Sequence, residues 1–202
     1  MIYRAVGNLV AVDFSEIGKF MPSEKALEIL EKKGFEVLIF DWFKIARNFI
    51  GNNIVYRRNA RMREAPMVVN CSTFVKWLYS LKGIWIPRYA LQQRKAARFW
   101  NEFRPGDLVF KSGLHPFYCQ DLEEGVGHVG FYTEKGTVIH ATDKFPALEE
   151  VSLKDFIGKN REFRGIKTII ENPHKTLTLR IPASCEIETS DDINFILWGN
   201  LQ

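Results

Sequence analysis

The sequence lacks several features that would place a protein in a special class. Its three cysteines, at positions 71, 119 and 185, include no close pair, which argues against a disulfide framework and a CxxC metal knuckle. No stretch approaches the roughly 18 uncharged apolar residues of a membrane-spanning helix, and no segment repeats. The N-terminal stretch carries Asp13 and Glu16 where a signal peptide is apolar. We therefore expect no membrane span, and a protein that is cytoplasmic as encoded or exported by a non-standard route.

The composition is that of an ordinary globular protein. Of the 202 residues, 46% are hydrophobic and 26% are charged, which excludes disordered and collagen-like classes. The net charge of +4 hides an asymmetry, because residues 44–104 contain 13 Lys and Arg but only two acidic residues, a local charge of +11. This segment is either a surface that binds an anionic polymer or a solvated face balanced by the acidic ends.

Apolar spacing predicts helices in the first half of the chain and strands in the second. Helical periodicity covers residues 22–33, 43–51, 71–83 and 89–100, with a buried strand at residues 35–42. After the turn at residues 105–107 the period changes to two. HVGFYT and TVIHAT, joined by a connection containing glycine, form a predicted hairpin.

This arrangement predicts an α+β fold, with helices packed on an antiparallel sheet. The predicted organisation is an N-terminal extension over residues 1–40, a central domain over residues 41–171 and a C-terminal β extension over residues 172–202. In that extension TLTLRI and NFILWG are predicted edge strands.

Cys71 is the first residue of a predicted helix, CSTFVKWLYSLKG. The unpaired amides and the dipole at a helix N-terminus favour a thiolate, so this position suits a nucleophile. A structural cysteine is the alternative. His128 and His140 are symmetric about Glu134 in the hairpin turn, and we expect them to lie opposite one another on one face of the sheet. A nucleophile, a base and a residue that orients the base form a catalytic triad, so the pattern favours a thiol hydrolase.

Four motifs in this order resemble the NlpC/P60 cysteine peptidases, a papain-like family that cuts peptide stems of bacterial cell walls. NCSTFVKWLY resembles the family's D-C-S-G/T-F segment, and GIWIPRYALQQ resembles G-I-x-L-P-R-x-x-x-x-Q. RPGDLVFK resembles P-G-D-L-V-F, and GHVGFYTEKGTVIHAT resembles S-H-V-G-I-Y…G-x-x-I-H-A. Asn70 and Thr73 stand where the family commonly has aspartate and glycine, and Tyr89 stands where it has a small hydroxyl residue.

The resemblance implies a papain-like fold and a role for each matching residue. Cys71 would be the nucleophile, His128 the base and His140 the orienting residue, acting on the bond from γ-D-glutamyl to a diamino acid. Tyr56, 15 residues before Cys71, would help to bind the oxyanion, and the resemblance places the matching Arg88 and Gln93 in substrate binding.

Other functions have weaker sequence support. A metal site would need Cys71, His115, Cys119, His128 and His140, which lack the paired spacing of zinc ligands. Residues 125–130 satisfy G-x-G-x-x-G, but a hairpin follows them instead of a helix, so we expect no dinucleotide and no other cofactor. No stacking motif indicates nucleic-acid binding. Three alternatives stay open: cleavage of another amide, acyl transfer to an amine, and a non-catalytic module that binds an anionic polymer.

Overall fold

The computed structural model describes residues 1–100, 102–113, 125–158 and 161–200. In chain order, the elements in these residues are β1 (Leu9–Asp13), α1 (Phe14–Ile17), α2 (Ser23–Lys32), β2 (Glu36–Leu38), α3 (Trp42–Asn48), β3 (Val55–Tyr56), a 3-10 turn (Met62–Glu64), β4 (Val68–Val69), α4 (Cys71–Leu81), α5 (Ala90–Ala96), β5 (Leu108–Ser112), β6 (Val126–Tyr132), β7 (Thr137–Ala141), β8 (Leu148–Ser152), α6 (Leu153–Gly158), β9 (Phe163–Lys167), β10 (Thr176–Arg180) and α7 (Ser190–Trp198).

These elements form two compact units. The first comprises Met1–Phe40, Tyr79–Trp85 and Ile170–Gln202, and the second comprises Asp41–Leu78 and Ile86–Ile169. Both combine helices with antiparallel sheet, which confirms the predicted α+β class. None of the described helices is long and apolar enough to cross a membrane.

The first unit joins the two ends of the chain in one sheet. Its strand order is β1-β10-β2, and β10 pairs antiparallel with both neighbours. Residues from β1, β10, α1, α2 and α7 form its hydrophobic core. The segments predicted as separate extensions therefore share one core. Gly83 fits closely against β1, because a Cβ at this position would lie 2.6 Å from the backbone nitrogen of Val10.

Four predicted elements differ from the structure. TLTLRI, predicted as an edge strand, contains the central strand β10, because β1 and β2 pair with it on either side. NFILWG, predicted as a strand, lies in α7, where Thr189 and Asp192 form a capping box that begins a helix. The strand predicted at residues 35–42 is limited to β2, since Ile39 is 94% exposed and Asp41 already caps α3. The helix predicted over residues 89–100 ends at Ala96.

The second unit contains a five-stranded antiparallel sheet with the order β8-β7-β6-β5-β9. Its hairpin of β6 and β7 exists as predicted, but its register is different. Phe131 faces Ile139 and Tyr132 faces Val138, so the hairpin is centred on residue 135 instead of Glu134. His128 and His140 are therefore diagonal neighbours on one face instead of directly opposed residues, a spacing that long side chains still bridge.

Candidate active site

The N-terminus of α4 is held by a reciprocal cap between Asn70 and Thr73. Asn70 Oδ1 accepts a hydrogen bond from the Thr73 amide at 2.9 Å, and Thr73 Oγ1 accepts one from the Asn70 amide at 2.7 Å. Asn70 Nδ2 also donates to the Arg58 carbonyl at 2.6 Å, a bond that an aspartate side chain cannot donate. These bonds of Asn70 and Thr73 thus fix the turn that presents Cys71.

Cys71 is nearly buried, with 8% of its surface exposed. Backbone hydrogen bonds from Val129 and Ser72 reach the thiol, so the sulfur lies against β6 one residue beyond His128. Burial raises the pKa of the Cys71 thiol despite these bonds and despite Arg161 and Arg88. Desolvation of the thiol thus opposes the effect of the helix N-terminus, which favours a thiolate.

Tyr56 reaches the same region through the short parallel pair of β3 and β4. Tyr56 pairs with Val69, two residues before Cys71, and the Arg57 amide donates to the Val69 carbonyl at 2.8 Å. This pairing brings a residue 15 positions earlier in the sequence next to the start of α4. Burial and the neighbouring Cys71 raise the pKa of Tyr56, so its hydroxyl keeps its proton at neutral pH and can donate a hydrogen bond.

The two histidines form a direct hydrogen bond. His128 Nε2 and His140 Nδ1 are 3.1 Å apart, and the ring planes are nearly perpendicular. Phe156 of α6 packs against both rings, stacked on His128 and edge-on to His140. Gly130, on the same face of β6, leaves the space that Phe156 fills, since a Cβ there would overlap Val138 and lie 3.0 Å from Phe156.

Both histidines are neutral at physiological pH. Burial lowers the pKa of His128 well below its ordinary value, and the neighbouring His140 adds to this effect. Burial, with Lys111 and Arg161, lowers the pKa of His140 to about 4. Glu149 lies 3.2 Å from His140 Nε2, but its side chain is 41% exposed, so solvent screens its charge and the shift stays downward. A neutral imidazole is a proton acceptor, which is the state a general base requires.

A cavity of about 350 Å³ opens beside the histidine pair. It is lined by Tyr56, His128 and His140, together with charged residues that include Arg58, Lys111, Lys144, Asp143, Glu149, Asp155 and Arg161. Lys111 lies directly across from His128 in the sheet, and its ammonium donates to the Phe156 carbonyl. Sequence reasoning missed Lys111, which directly follows the P-G-D-L-V-F motif, and it missed Glu149 and Arg161, which lie outside all four motifs.

Arg88 and Gln93 contact the first turn of α4 through Ser72. Arg88 donates to Ser72 Oγ at 2.9 Å and also to the Ala60 carbonyl. Gln93 is fully buried, and its amide donates to the Ser72 carbonyl at 2.9 Å and to the Pro87 carbonyl at 3.0 Å. The structure thus brings both side chains to Ser72, the neighbour of Cys71.

The basic segment is partly neutralised within the second unit. Arg47 bonds Glu134 at 2.6 Å and Glu150 at 2.9 Å, and Arg57 pairs with Glu64. Arg94 is buried and donates to the Arg164 carbonyl at 3.1 Å.

The alternative metal site involved two residues, His115 and Cys119, that lie outside the described residues. Within the described ranges, no group of three or more histidine, cysteine or acidic residues is arranged to hold a metal ion. Cys71 and Cys185 are both free thiols.

The chain was compared with known proteins. A probable endopeptidase of Corynebacterium glutamicum is 36% identical over 92 residues, which cover 44% of this chain and 38% of that protein. The probable endopeptidase p60 of Listeria innocua is 34% identical over 80 residues, covering 39% of this chain and 15% of that protein. The matches thus span well under half of either relative. The solved peptidoglycan hydrolase RipB of Mycobacterium tuberculosis is 18% identical, with a TM-score of 0.46 over 78% of this chain and 77% of that chain.

A family model gives the assignment. The model of the NlpC/P60 family matches residues 56–159, just over half of the sequence. That range contains Tyr56, Cys71, His128, His140 and Glu149, whereas Arg161, which also lines the cavity, lies just beyond it. On this match, and in agreement with the resemblance found in its motifs, the chain belongs to the NlpC/P60 family.

Proposed function

We propose that this protein is a cysteine endopeptidase that hydrolyses amide bonds in the peptide stems of peptidoglycan, at the γ-D-glutamyl to diamino acid bond. The observation that carries the proposal is the pair of neutral histidines, hydrogen-bonded at 3.1 Å, of which His128 lies on the strand that the Cys71 thiol contacts. The names of the two bacterial relatives, both probable endopeptidases, support the same activity.

In the proposed reaction, His128 takes the proton of Cys71 while the sulfur attacks the amide carbon. The C–S bond forms and the carbonyl electron pair moves to oxygen. Collapse of this intermediate breaks the C–N bond, and His128 gives its proton to the leaving amine. Water then attacks the thioester while His128 takes its proton, so that a C–O bond forms. The C–S bond breaks, the carboxylic acid leaves, and His128 returns the proton to the sulfur. His140 holds the His128 ring throughout.

Since the thiol and both imidazoles are neutral at rest, proton transfer accompanies attack instead of preceding it. Burial opposes a lone thiolate or a lone imidazolium, but transfer from Cys71 to His128 creates both together, and their attraction offsets part of that cost. The developing oxyanion needs donors that are already in place. We assign this role to the Tyr56 hydroxyl and the Cys71 backbone amide.

Arg88 and Gln93 are proposed to act as positioning residues. Both hold Ser72, the residue that follows the nucleophile, and Gln93 has no exposed surface with which to contact a substrate. Their effect on the reaction would therefore pass through the first turn of α4.

The charge of the cavity supports a substrate that carries a carboxylate. In the described part of the chain, neither Arg58 nor Arg161 has an acidic partner within ion-pair distance, whereas two of the acidic lining residues are already engaged. Glu149 contacts His140, and Asp155 accepts a hydrogen bond from Ser152. A γ-linked glutamyl residue keeps a free α-carboxylate next to the scissile bond, which suits two unpaired guanidinium groups.

Digestion of purified peptidoglycan tests the proposal. The soluble fragments would be separated and identified by mass spectrometry, with new free amino groups on the diamino acid as the expected product. Intact peptidoglycan with the protein bound to it would contradict hydrolysis and favour the non-catalytic binding module. Fragments whose acyl half carries an added amine would show acyl transfer in place of hydrolysis.

Binding of an anionic polymer to the basic segment stays a separate prediction. The ion pairs of Arg47 and Arg57 reduce the charge that this segment has available. If the interaction exists, association with isolated cell walls will weaken as salt increases.

A further inference from the structure

We infer that Glu149 is a positioning residue of this site, which fixes the tautomer of His140 and, through it, the tautomer of His128. The consequence for turnover depends on the proposed function. The tautomers themselves can be measured without substrate.

The geometry forms a continuous chain of three side chains across three strands. Glu149 on β8 is the direct register partner of His140 on β7. Its Oε1 atom lies 3.2 Å from His140 Nε2. The other ring nitrogen of His140, Nδ1, lies 3.1 Å from Nε2 of His128 on β6. His140 therefore bridges a carboxylate and the proposed base.

The chemistry of these groups determines which atom donates in each of the two hydrogen bonds. An ionised carboxylate only accepts hydrogen bonds, so the proton of a neutral His140 belongs on Nε2. Its Nδ1 then holds a lone pair, and it accepts from His128 Nε2. The proton of a neutral His128 is thereby also fixed on Nε2, which leaves Nδ1 as the basic nitrogen. The carboxylate thus determines which nitrogen of His128 can take the thiol proton.

Because both histidine rings are buried and neutral, the tautomer of His128 determines whether it can accept the thiol proton. Burial keeps both rings neutral, and besides Glu149 the charged groups that face them are Lys111 from β5 and Arg161, which follows α6. A neutral ring carries a single N–H, so a reversed hydrogen bond would move the proton of His128 to Nδ1 and leave no acceptor for the thiol. Phe156 packs against both rings and limits their rotation.

Substitution Glu149→Gln tests the inference, because glutamine keeps the size of the side chain but can donate as well as accept. In the unmodified protein at pH 7, two-bond and three-bond ¹H–¹⁵N correlations of the imidazoles should show the proton on Nε2 of both His128 and His140. In Glu149→Gln, a population of His140 with the proton on Nδ1 should appear. The matched control is Asp143→Asn, which removes an exposed carboxylate from the same cavity and should leave both tautomers unchanged.

Two results would overturn the inference: a proton on Nδ1 of His140 in the unmodified protein, or tautomers in Glu149→Gln identical to those of the unmodified protein. If the protein cleaves peptide stems, Glu149→Gln should lower kcat about 10-fold or more with KM unchanged, and Glu149→Asp should restore part of the loss. Correct tautomers in a protein that cleaves no wall peptide would contradict the proposed function alone. Normal cleavage with unchanged tautomers in Glu149→Gln would contradict this inference alone.

Discussion

Asn70 and Thr73 cap the start of α4 for each other, with hydrogen bonds of 2.9 and 2.7 Å running in opposite directions between side chain and backbone. Both residues are buried. These two bonds fix the first turn of α4, which contains Cys71. Substitution of either side chain would remove one of the bonds and lower the stability of the protein.

Loss of the Thr73 hydroxyl should destabilise the protein. Thr73→Val keeps the shape of the side chain but leaves the buried Asn70 amide without its acceptor, so we expect the free energy of unfolding to fall by about 1–2 kcal/mol. Chemical denaturation measures this change. Thr73→Ser retains the hydroxyl and should lose clearly less, and equal losses in the two variants would show that the hydroxyl is unimportant.

Gly130 should tolerate no larger residue. In Gly130→Ala the new Cβ overlaps Val138 and presses on Phe156, so we expect a loss of about 1–3 kcal/mol of stability and displacement of the Phe156 ring from the histidines. Gly158→Ala in α6 is the control, because in the described part of the chain no atom outside the glycine's chain neighbours and its own helix backbone lies within 4 Å of a Cβ there. A Gly130→Ala variant as stable as Gly158→Ala would refute this packing argument.

The buried histidines should make the protein sensitive to mild acid. The pKa of His140 is about 4 in the folded protein and about 6.5 in an unfolded chain. Between these pH values the unfolded chain binds a proton that the folded protein does not, so the free energy of unfolding falls as the pH decreases from 6.5 to 4. His128, shifted in the same direction, adds to the slope. Denaturation at several pH values should show a weaker slope in His140→Asn than in the unmodified protein, and equal slopes would contradict this role of His140.

The Cys71 thiol should react slowly with iodoacetamide at neutral pH. Burial raises its pKa, so the thiolate fraction increases only towards alkaline pH. Mass spectrometry of the protein labelled between pH 5 and 10 gives the rate at Cys71, and Cys185 in the same sample serves as the reference. Rapid labelling of Cys71 at pH 5–6 would instead show a thiolate paired with His128 before substrate binds.

Arg161 should select for a free carboxylate in the substrate. Arg161→Gln is expected to raise KM for a peptide with a free glutamyl α-carboxylate and to have little effect on the same peptide with this group amidated, because only the first offers a charged partner. The control is Arg63→Gln, which changes an exposed arginine outside the residues that line the cavity. Equal changes in KM for the two peptides would exclude a carboxylate-binding role for Arg161.

The elements that were predicted from the sequence, such as α4 and the β6–β7 hairpin, are those that a short sequence pattern encodes. The spacing of apolar residues in α4, and the glycine-containing turn between β6 and β7, are properties of short segments. The pairing of β1 with β10 joins residues at opposite ends of the chain, and no local pattern encodes such a partnership. The strand predicted at NFILWG was wrong for a local reason. Its apolar residues are compatible with a strand or a helix, and the N-cap at Thr189 favours the helix.

The same distinction applies to the candidate site. Cys71, His128 and His140 stand in motifs and were found from the sequence, whereas Glu149 lies on β8, which was not predicted. Its proposed role depends on non-local pairing, because β7 and β8 bring it across from His140. The resting charge of Cys71 was also beyond sequence reasoning, since burial, which a helix position does not reveal, decides the direction of its pKa shift.

The central claim is that Cys71 is the nucleophile, and the rate of stem-peptide cleavage in cysteine variants tests it most directly. Release of free amino groups from purified peptidoglycan would be followed for the unmodified protein, Cys71→Ala and Cys185→Ala. We predict no detectable release by Cys71→Ala, with a fold unchanged by circular dichroism, and full release by Cys185→Ala. Cleavage by Cys71→Ala at the rate of the unmodified protein would contradict the account.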